Sequence, residues 1–336
     1  MEAGQLTEAA SPALRERLEE RLRNSPALAA ALVIAVIFLI LVVTQGLHDV
    51  AQTGLNGLSL GAIYALGAVG LTLVYGILKL VNFAHGDFLT FGAYMAFLVN
   101  VTWGAPLVVA VFWAMIATAL LGLLFERLLW GPMRRHRAGF LQLILMSIGL
   151  AFLLRAIVQW FWGTEIRQLD VNTTDSVELL GLRIGQTELI VVIVGVGVLI
   201  AVGAVLRFTI LGKQMRALSD DLELAETAGI NTRRVILYTW LFAGALAGLA
   251  GVLAASITNL RPELGFELLL PIFAAVILGG IGDAFGALAA GLVLGVMTEW
   301  STLLVDARWK VAVGFLVLVI VLVVRPQGIF GKAKAV

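Results

Sequence analysis

Residues 207–234, RFTILGKQMRALSDDLELAETAGINTRR, hold nine Lys, Arg, Asp and Glu side chains, whereas residues 190–206 before them and 235–257 after them hold none. Each such charge costs roughly 2.5–3.5 kcal/mol at the centre of a bilayer. The alternation therefore dictates two apolar runs that cross a membrane and a connection between them that lies in water. The connection is itself patterned. Leu218, Leu222, Ala225 and Gly229 with Ile230 recur at three- to four-residue steps, which predicts a short helix with one apolar stripe. A stripe of that kind on the water side calls for a cover, and a docked soluble partner would supply it.

The same alternation runs through the chain. Of its 336 residues 60% are hydrophobic and only 13% charged, against about 25% charged in soluble domains, so the fold class is all-α and polytopic. A crossing takes about 20 apolar residues, and the length allows on the order of eight to ten, with no room for a soluble enzyme domain. Apolar runs fall at residues 27–43, 54–78, 88–101, 106–130, 140–162, 189–206, 235–257, 268–298 and 311–324. Residues 1–26 stand apart: Leu14, Leu18 and Leu22 among charged neighbours predict an amphipathic cytoplasmic segment, equally readable as a solvated extension. Residues 27–330 form the membrane domain, with 207–234 as its cytoplasmic insertion, and 331–336 form a tail.

Charge placement gives the topology. Arg15 to Arg23, Arg127 to Arg137, residues 207–234 and Arg325 to Lys334 form four basic clusters, expected on the cytoplasmic side with both termini. Residues 163–188, acidic and bordered by Trp160 and Trp162, are expected outside. Parity fails in one place. Between Arg234 and Arg325 three runs would leave the carboxyl terminus outside, so one must double back. The 31-residue run at 268–298, interrupted by GGIGDAFG with Gly279, Gly280, Gly282 and Asp283, is the candidate. A broken helix of this kind lines a cavity in many transporters; the other reading is close helix packing, as for Gly291 and Gly295 in a G-x-x-x-G spacing. The expectation is about eight spanning helices plus this re-entrant or broken pair. A second irregularity is KLVNFAHGD at residues 79–87, readable as a functional site at membrane depth or as a plain surface loop.

Chemistry is mostly excluded. There is no cysteine, and His48, His85 and His136 are scattered, so neither thiolate nor paired-imidazole metal sites are expected. No G-x-x-x-x-G-K-[ST] loop is present, so this chain does not hold ATP in that way. GGIGDAFG follows an apolar run and not a strand, which makes it a poor dinucleotide fingerprint. Proteolysis inside the membrane would need Asp283 paired with Asp87 or Glu299, and nothing else supports it. Few charges lie within the runs, which argues against a proton or sodium relay and for an external motor.

Three stretches then carry a resemblance: GLSLGAIYALGAVGLTLVYGILKLVNFAHGDFLTFGAY at 57–94, RALSDDLELAETAGINTRRV at 216–235 and AAVILGGIGDAFGALAAGLVLGVMTE at 274–299, with RPQGIFG at 325–331. Together they resemble the membrane permeases of branched-chain amino acid ABC importers. The resemblance implies a homologous second permease, two cytoplasmic ATPase subunits that use ATP-Mg, an extracytoplasmic binding protein, a lipid environment and no nucleic acid. No cofactor is expected in this chain. It also implies that Arg216, Asp220, Asp221, Glu223, Ala225, Gly229, Ile230 and Asn231 dock in a groove of the ATPase, since Glu223, Ala225 and Gly229 match E-A-A-x-x-x-G with Leu224 in place of the second Ala. A substrate path of Asn56, Tyr64, Asn82, His85, Asp87, Gly279, Gly280, Gly282 and Asp283 is expected, with Phe83 and Phe88 as apolar wall. Permeases for urea, short amides or a sugar are the neighbouring alternative, and a self-sufficient carrier or channel the more distant one.

Overall fold

A computed structural model describes residues 26–172, 174–179, 181–325 and 328. The expected amphipathic segment before residue 26 and the tail from residue 331 lie outside the described residues. The chain divides into residues 1–50 and 51–336. In the first part lie α1 (Pro26–Gln45) and the start of α2 (Leu47–Leu78). The second contains α3 (His85–Phe97), α4 (Leu107–Phe125), α5 (Gly131–Arg135), α6 (Phe140–Trp162), α7 (Gln186–Phe208), α8 (Ile210–Asp220) and α9 (Leu222–Thr227). It continues with α10 (Thr232–Ile257), α11 (Leu264–Gly279), α12 (Ala284–Trp300) and α13 (Lys310–Val324). Single π-helical turns extend α3 and join α4 to α5, and the 163–188 loop carries an antiparallel hairpin of β1 (Ser176–Leu179) and β2 (Leu182–Gly185). That hairpin was not foreseen in the sequence.

Among the described residues six stretches are long and apolar enough to cross a membrane: α2, Leu107–Arg135, α6, α7, α10 and Ala284–Leu303. Their burial sorts them into two roles. The apolar windows of α2 and α10 are 89% and 78% buried, against 28% for α6 and α7, so α2 and α10 form the interior and the others the perimeter. On the perimeter, α4 turns Phe112, Ile116, Leu120 and Leu124 outward, an apolar face suited to acyl chains.

Lipid is as apolar as leucine, so helices in a bilayer gain little from hiding apolar surface and pack instead through small residues that let backbones approach. This explains the glycine content of the interior. Gly57 and Gly61 of α2 face α12, whose Gly291 and Gly295 face back on Ala65 and Gly61; a Cβ on Gly57 would lie 2.7 Å from the Val296 Cα. The G-x-x-x-G pair thus packs helices closely, as that reading expected. Gly244 and Gly248 of α10 lie in the same way against Thr118 and Ala114 of α4.

The run at 268–298 is indeed broken. α11 ends at Gly279 and α12 begins at Ala284, with Gly280 and Gly282 at φ 98° and 92°, which L side chains rarely adopt. The two halves form a hairpin, so four helices, α10 to α13, lie between Arg234 and Arg325 and the parity shortfall disappears. A less expected break precedes α3. Residues 79–84 are non-helical and fold back along α2, so that His85 bonds the Gly67 carbonyl, about 16 Å down the helix from Leu78 by helical rise. The run at 88–101 is therefore a helix that starts inside the bundle and continues through a π-helical turn to Thr102; with the non-helical residues 79–84 it runs from the α8 end, where Lys79 bonds Ser219, to the 163–188 loop, where Asn100 accepts from the Asp170 amide at 2.8 Å.

Candidate functional site

The interior start of α3 gathers polar side chains. Asn82, His85 and Asp87 are 0%, 2% and 1% exposed, which excludes the reading of 79–87 as a plain surface loop. A carbonyl only accepts, so the 2.9 Å contact to Gly67 O makes His85 Nε2 the protonated nitrogen. Asn82 Oδ1 accepts from the Ala84 amide at 3.2 Å, and the Phe83 amide donates to Ser147 Oγ on α6. Asp87 Oδ1 accepts from Arg155 Nε at 3.2 Å. Two atoms of this group, Asn82 Nδ2 and Asp87 Oδ2, are buried without a hydrogen-bond partner among the described residues. Phe83 packs on Phe273 of α11, and Phe88 lies against Phe125 and Trp240.

Arg155 was missed in the sequence. A single charge among the 23 residues of α6 did not disturb its apolar average, although a lone ion inside a span is the signal to look for. Glu126 was missed likewise; it is buried, accepts from Trp240 Nε1 at 2.7 Å and pairs with Arg134.

The other expected path residues lie elsewhere. Asn56 accepts from Gln52 on α2, and Tyr64 lines a narrow cleft with Pro271, Thr298, Lys310 and Phe315. Gly279 lies against the Gly286 backbone, and the Gly282 amide donates to Thr72 Oγ1 at 3.3 Å. Asp283 is the N-cap of α12, accepting from Phe285 and Gly286 amides at 2.9 and 3.2 Å. That geometry gives Asp283 a structural duty. Asp283→Ala is expected to lower stability by about 1 kcal/mol, while Asp283→Ser recovers most of it, measured as thermal unfolding in detergent. Equal melting of all three proteins would remove the cap from the account.

The charged connection folds as a compact unit. Thr209 caps α8 through the Gly212 amide, and Asp221, in extended backbone, caps α9 through the Leu224 amide at 2.9 Å. That cap divides the expected single helix in two. At the end of α9, Gly229 has φ 84°, its amide reaches Glu226 O and the Ile230 amide reaches Ala225 O. This pair of bonds is a Schellman cap, and Asn231 then caps α10 through the Arg234 amide. Leu218 and Ala225 face inward, whereas Leu222 and Leu224 face out, Leu224 with 68% exposure. Of the stripe, Leu222 and Gly229 are thus uncovered, with Leu224 exposed beside them. Arg216, Asp220, Asp221, Glu223, Gly229 and Asn231 are exposed, and Arg216 also bonds the Leu206 carbonyl.

One side chain ties this unit to the interior. Lys79, at φ 51°, donates to Gly76 O at the end of α2 (2.7 Å) and to Ser219 O on α8 (3.0 Å). Gly76 also approaches Ser219 Oγ and Gly282. The α11–α12 turn, the end of α2 and α8 therefore meet at one end of the bundle, and α3 starts six residues after the lysine.

The family profile described as "Branched-chain amino acid transport system / permease component" matches residues 53–322, from α2 almost to the end of α13. The chain belongs to that family. Among its relatives, the permease protein LivH of the high-affinity branched-chain amino acid transport system of Salmonella typhimurium is 33% identical over 299 residues, covering 84% of this chain and 96% of that protein. BraD of Pseudomonas aeruginosa, of the same description, is 29% identical, covering 86% of this chain and 98% of that protein. LivM of Salmonella typhimurium is 26% identical over 334 residues, covering 91% of this chain and 75% of that protein. With six spanning stretches and this membership, the chain is a multi-pass membrane protein and a permease component, not itself an enzyme.

Proposed function

We propose that the chain is the membrane subunit of an ATP-driven importer of branched-chain amino acids in the inner membrane, working by alternating access. The observation that carries this reading is the match to the permease family over residues 53–322. Its likeness to both LivH and LivM of one organism supports pairing with a homologous second permease. Two cytoplasmic ATPases consume ATP-Mg, and an extracytoplasmic binding protein delivers the substrate. The exposed Leu222 and Leu224 on the capped α9 support docking in a groove on the ATPase, and on this reading α8 and α9 lie in the cytoplasm together with both termini. Motion there would reach the end of α2 through Lys79, six residues before α3 begins.

The test is transport of labelled leucine into proteoliposomes holding the whole complex, with ATP inside or outside. Gly229→Pro, which cannot adopt φ 84°, and Glu223→Lys are each expected to cut ATP-dependent uptake by roughly tenfold or more while the permease still folds. Undiminished uptake in both would rule out the coupling role. Uptake by this chain alone, without nucleotide, would overturn the importer reading in favour of a self-sufficient carrier.

A further inference from the structure

Arg155 is held in an unusual way. Only its Nε is used, on Asp87 Oδ1; Nη1 and Nη2 make no hydrogen bond among the described residues. The side chain keeps 16% exposure, so its outer edge is open while Asp87 is sealed. Phe266 of α11 stacks at 4.6 Å from the guanidinium carbon and Phe152 flanks it at 5.9 Å, both exposed. One turn further along α6, Gln159 Nε2 donates to Glu263 Oε1 at 3.3 Å. The level is about 10 Å from the end of α6 at Trp162, by helical rise. Ions at that depth are costly against acyl chains, so this face is expected to meet a polar cavity or a partner subunit and not lipid.

The three chemistries on this face match an apolar amino acid. A guanidinium fixed through Nε presents its two terminal nitrogens as a fork, the geometry that receives a carboxylate with two parallel bonds. Glu263, one turn away, offers the opposite charge. Phe152 and Phe266 supply apolar walls. Asp87 would hold the fork in place through Oδ1, its Oδ2 being buried and without a hydrogen-bond partner.

Resting on the proposed transport of branched-chain amino acids, we infer that Arg155, positioned by Asp87, binds the substrate carboxylate, with Glu263 taking the ammonium group and Phe152 and Phe266 enclosing the side chain. The binding protein is omitted from the test so that its own selectivity does not intervene. Binding of radiolabelled leucine to the detergent-solubilised permease–ATPase complex is measured against competition by unlabelled leucine and by leucinamide, which lacks the carboxylate. The wild type should prefer leucine by about 10- to 100-fold, the range of one charge-assisted pair.

Arg155→Lys, which keeps the charge and loses the fork, should reduce that preference about tenfold. The double variant Asp87→Asn with Arg155→Gln removes both charges together, leaves no lone buried ion, and should bind leucine and leucinamide equally. A wild type indifferent to leucinamide, or variants with the wild-type preference, would overturn the assignment. So would loss of the second permease from both variants with the preference intact, since Arg155 would then serve a subunit contact. Failure of the wild type to carry leucine with ATP sinks the importer reading instead, and is seen in a separate assay.

Discussion

Gly251→Val is expected to remove most of the folded protein from a detergent extract. Gly251 of α10 faces the backbone of Leu89 on α3, and any Cβ there would overlap the Leu89 carbonyl. The obstacle is backbone on both sides, so no rotamer change relieves it, and α3 must part from α10. Overpacking costs 1–3 kcal/mol in ordinary cores; with two rigid helices in contact about 3 kcal/mol or more is expected, a large share of the 5–15 kcal/mol typical of a folded protein. Gly149→Ala on α6 is the control, because nothing lies within 4 Å of its would-be Cβ and alanine favours the helix. The monodisperse peak in size-exclusion chromatography should vanish for the first and persist for the second. A valine variant with a normal peak and melting temperature would mean that α3 does not pack as described.

Asp87→Ala is expected to be nearly as damaging, for an electrostatic reason. It leaves the Arg155 guanidinium, 16% exposed between Phe152 and Phe266, without its counter-ion, and breaking one side of a largely buried pair costs about 3–5 kcal/mol. Adding Arg155→Met should restore much of the loss, because the stranded charge goes with it. Measured as a double-mutant cycle in thermal unfolding, the coupling should be of the order of 1–3 kcal/mol. Additive single effects would show that the two side chains do not depend on each other.

What the sequence made legible follows from the range of the signal. Apolar periodicity and charge placement are local, and they gave the perimeter helices, the hairpin implied by parity and the Gly229 cap. The start of α3 was harder. Nothing within residues 79–87 says that the chain turns back along α2 to reach Gly67; that depends on the Gly86 and Gly265 backbones meeting, and these residues are far apart in the chain. Arg155 was hidden by averaging, since one ion in an apolar run hardly moves its mean. Asp283 was recognisable as a helix breaker, but its cap role required seeing where α12 begins. The apolar stripe of residues 218–230 was expected on one helix, but the Asp221 cap divides it between α8 and α9, and which part is uncovered is decided by the body of the protein behind it.

The shortness of α3 also bears on how the protein is made. Its 13 α-helical residues, followed by 5 in the π-helical turn, lie at the short end of the roughly 17–25 of a span, and its start is polar. The glycine surfaces that receive it, Gly248 and Gly251 on α10 and Gly265 on α11, are synthesised more than 100 residues later. At 5–20 residues per second that is a delay on the order of ten seconds. During this interval the glycine contacts that hold α3 do not yet exist. Closing α3 onto those glycines is then a step of late assembly, and the polar start of the helix is packed on both sides only when α10 and α11 have been made.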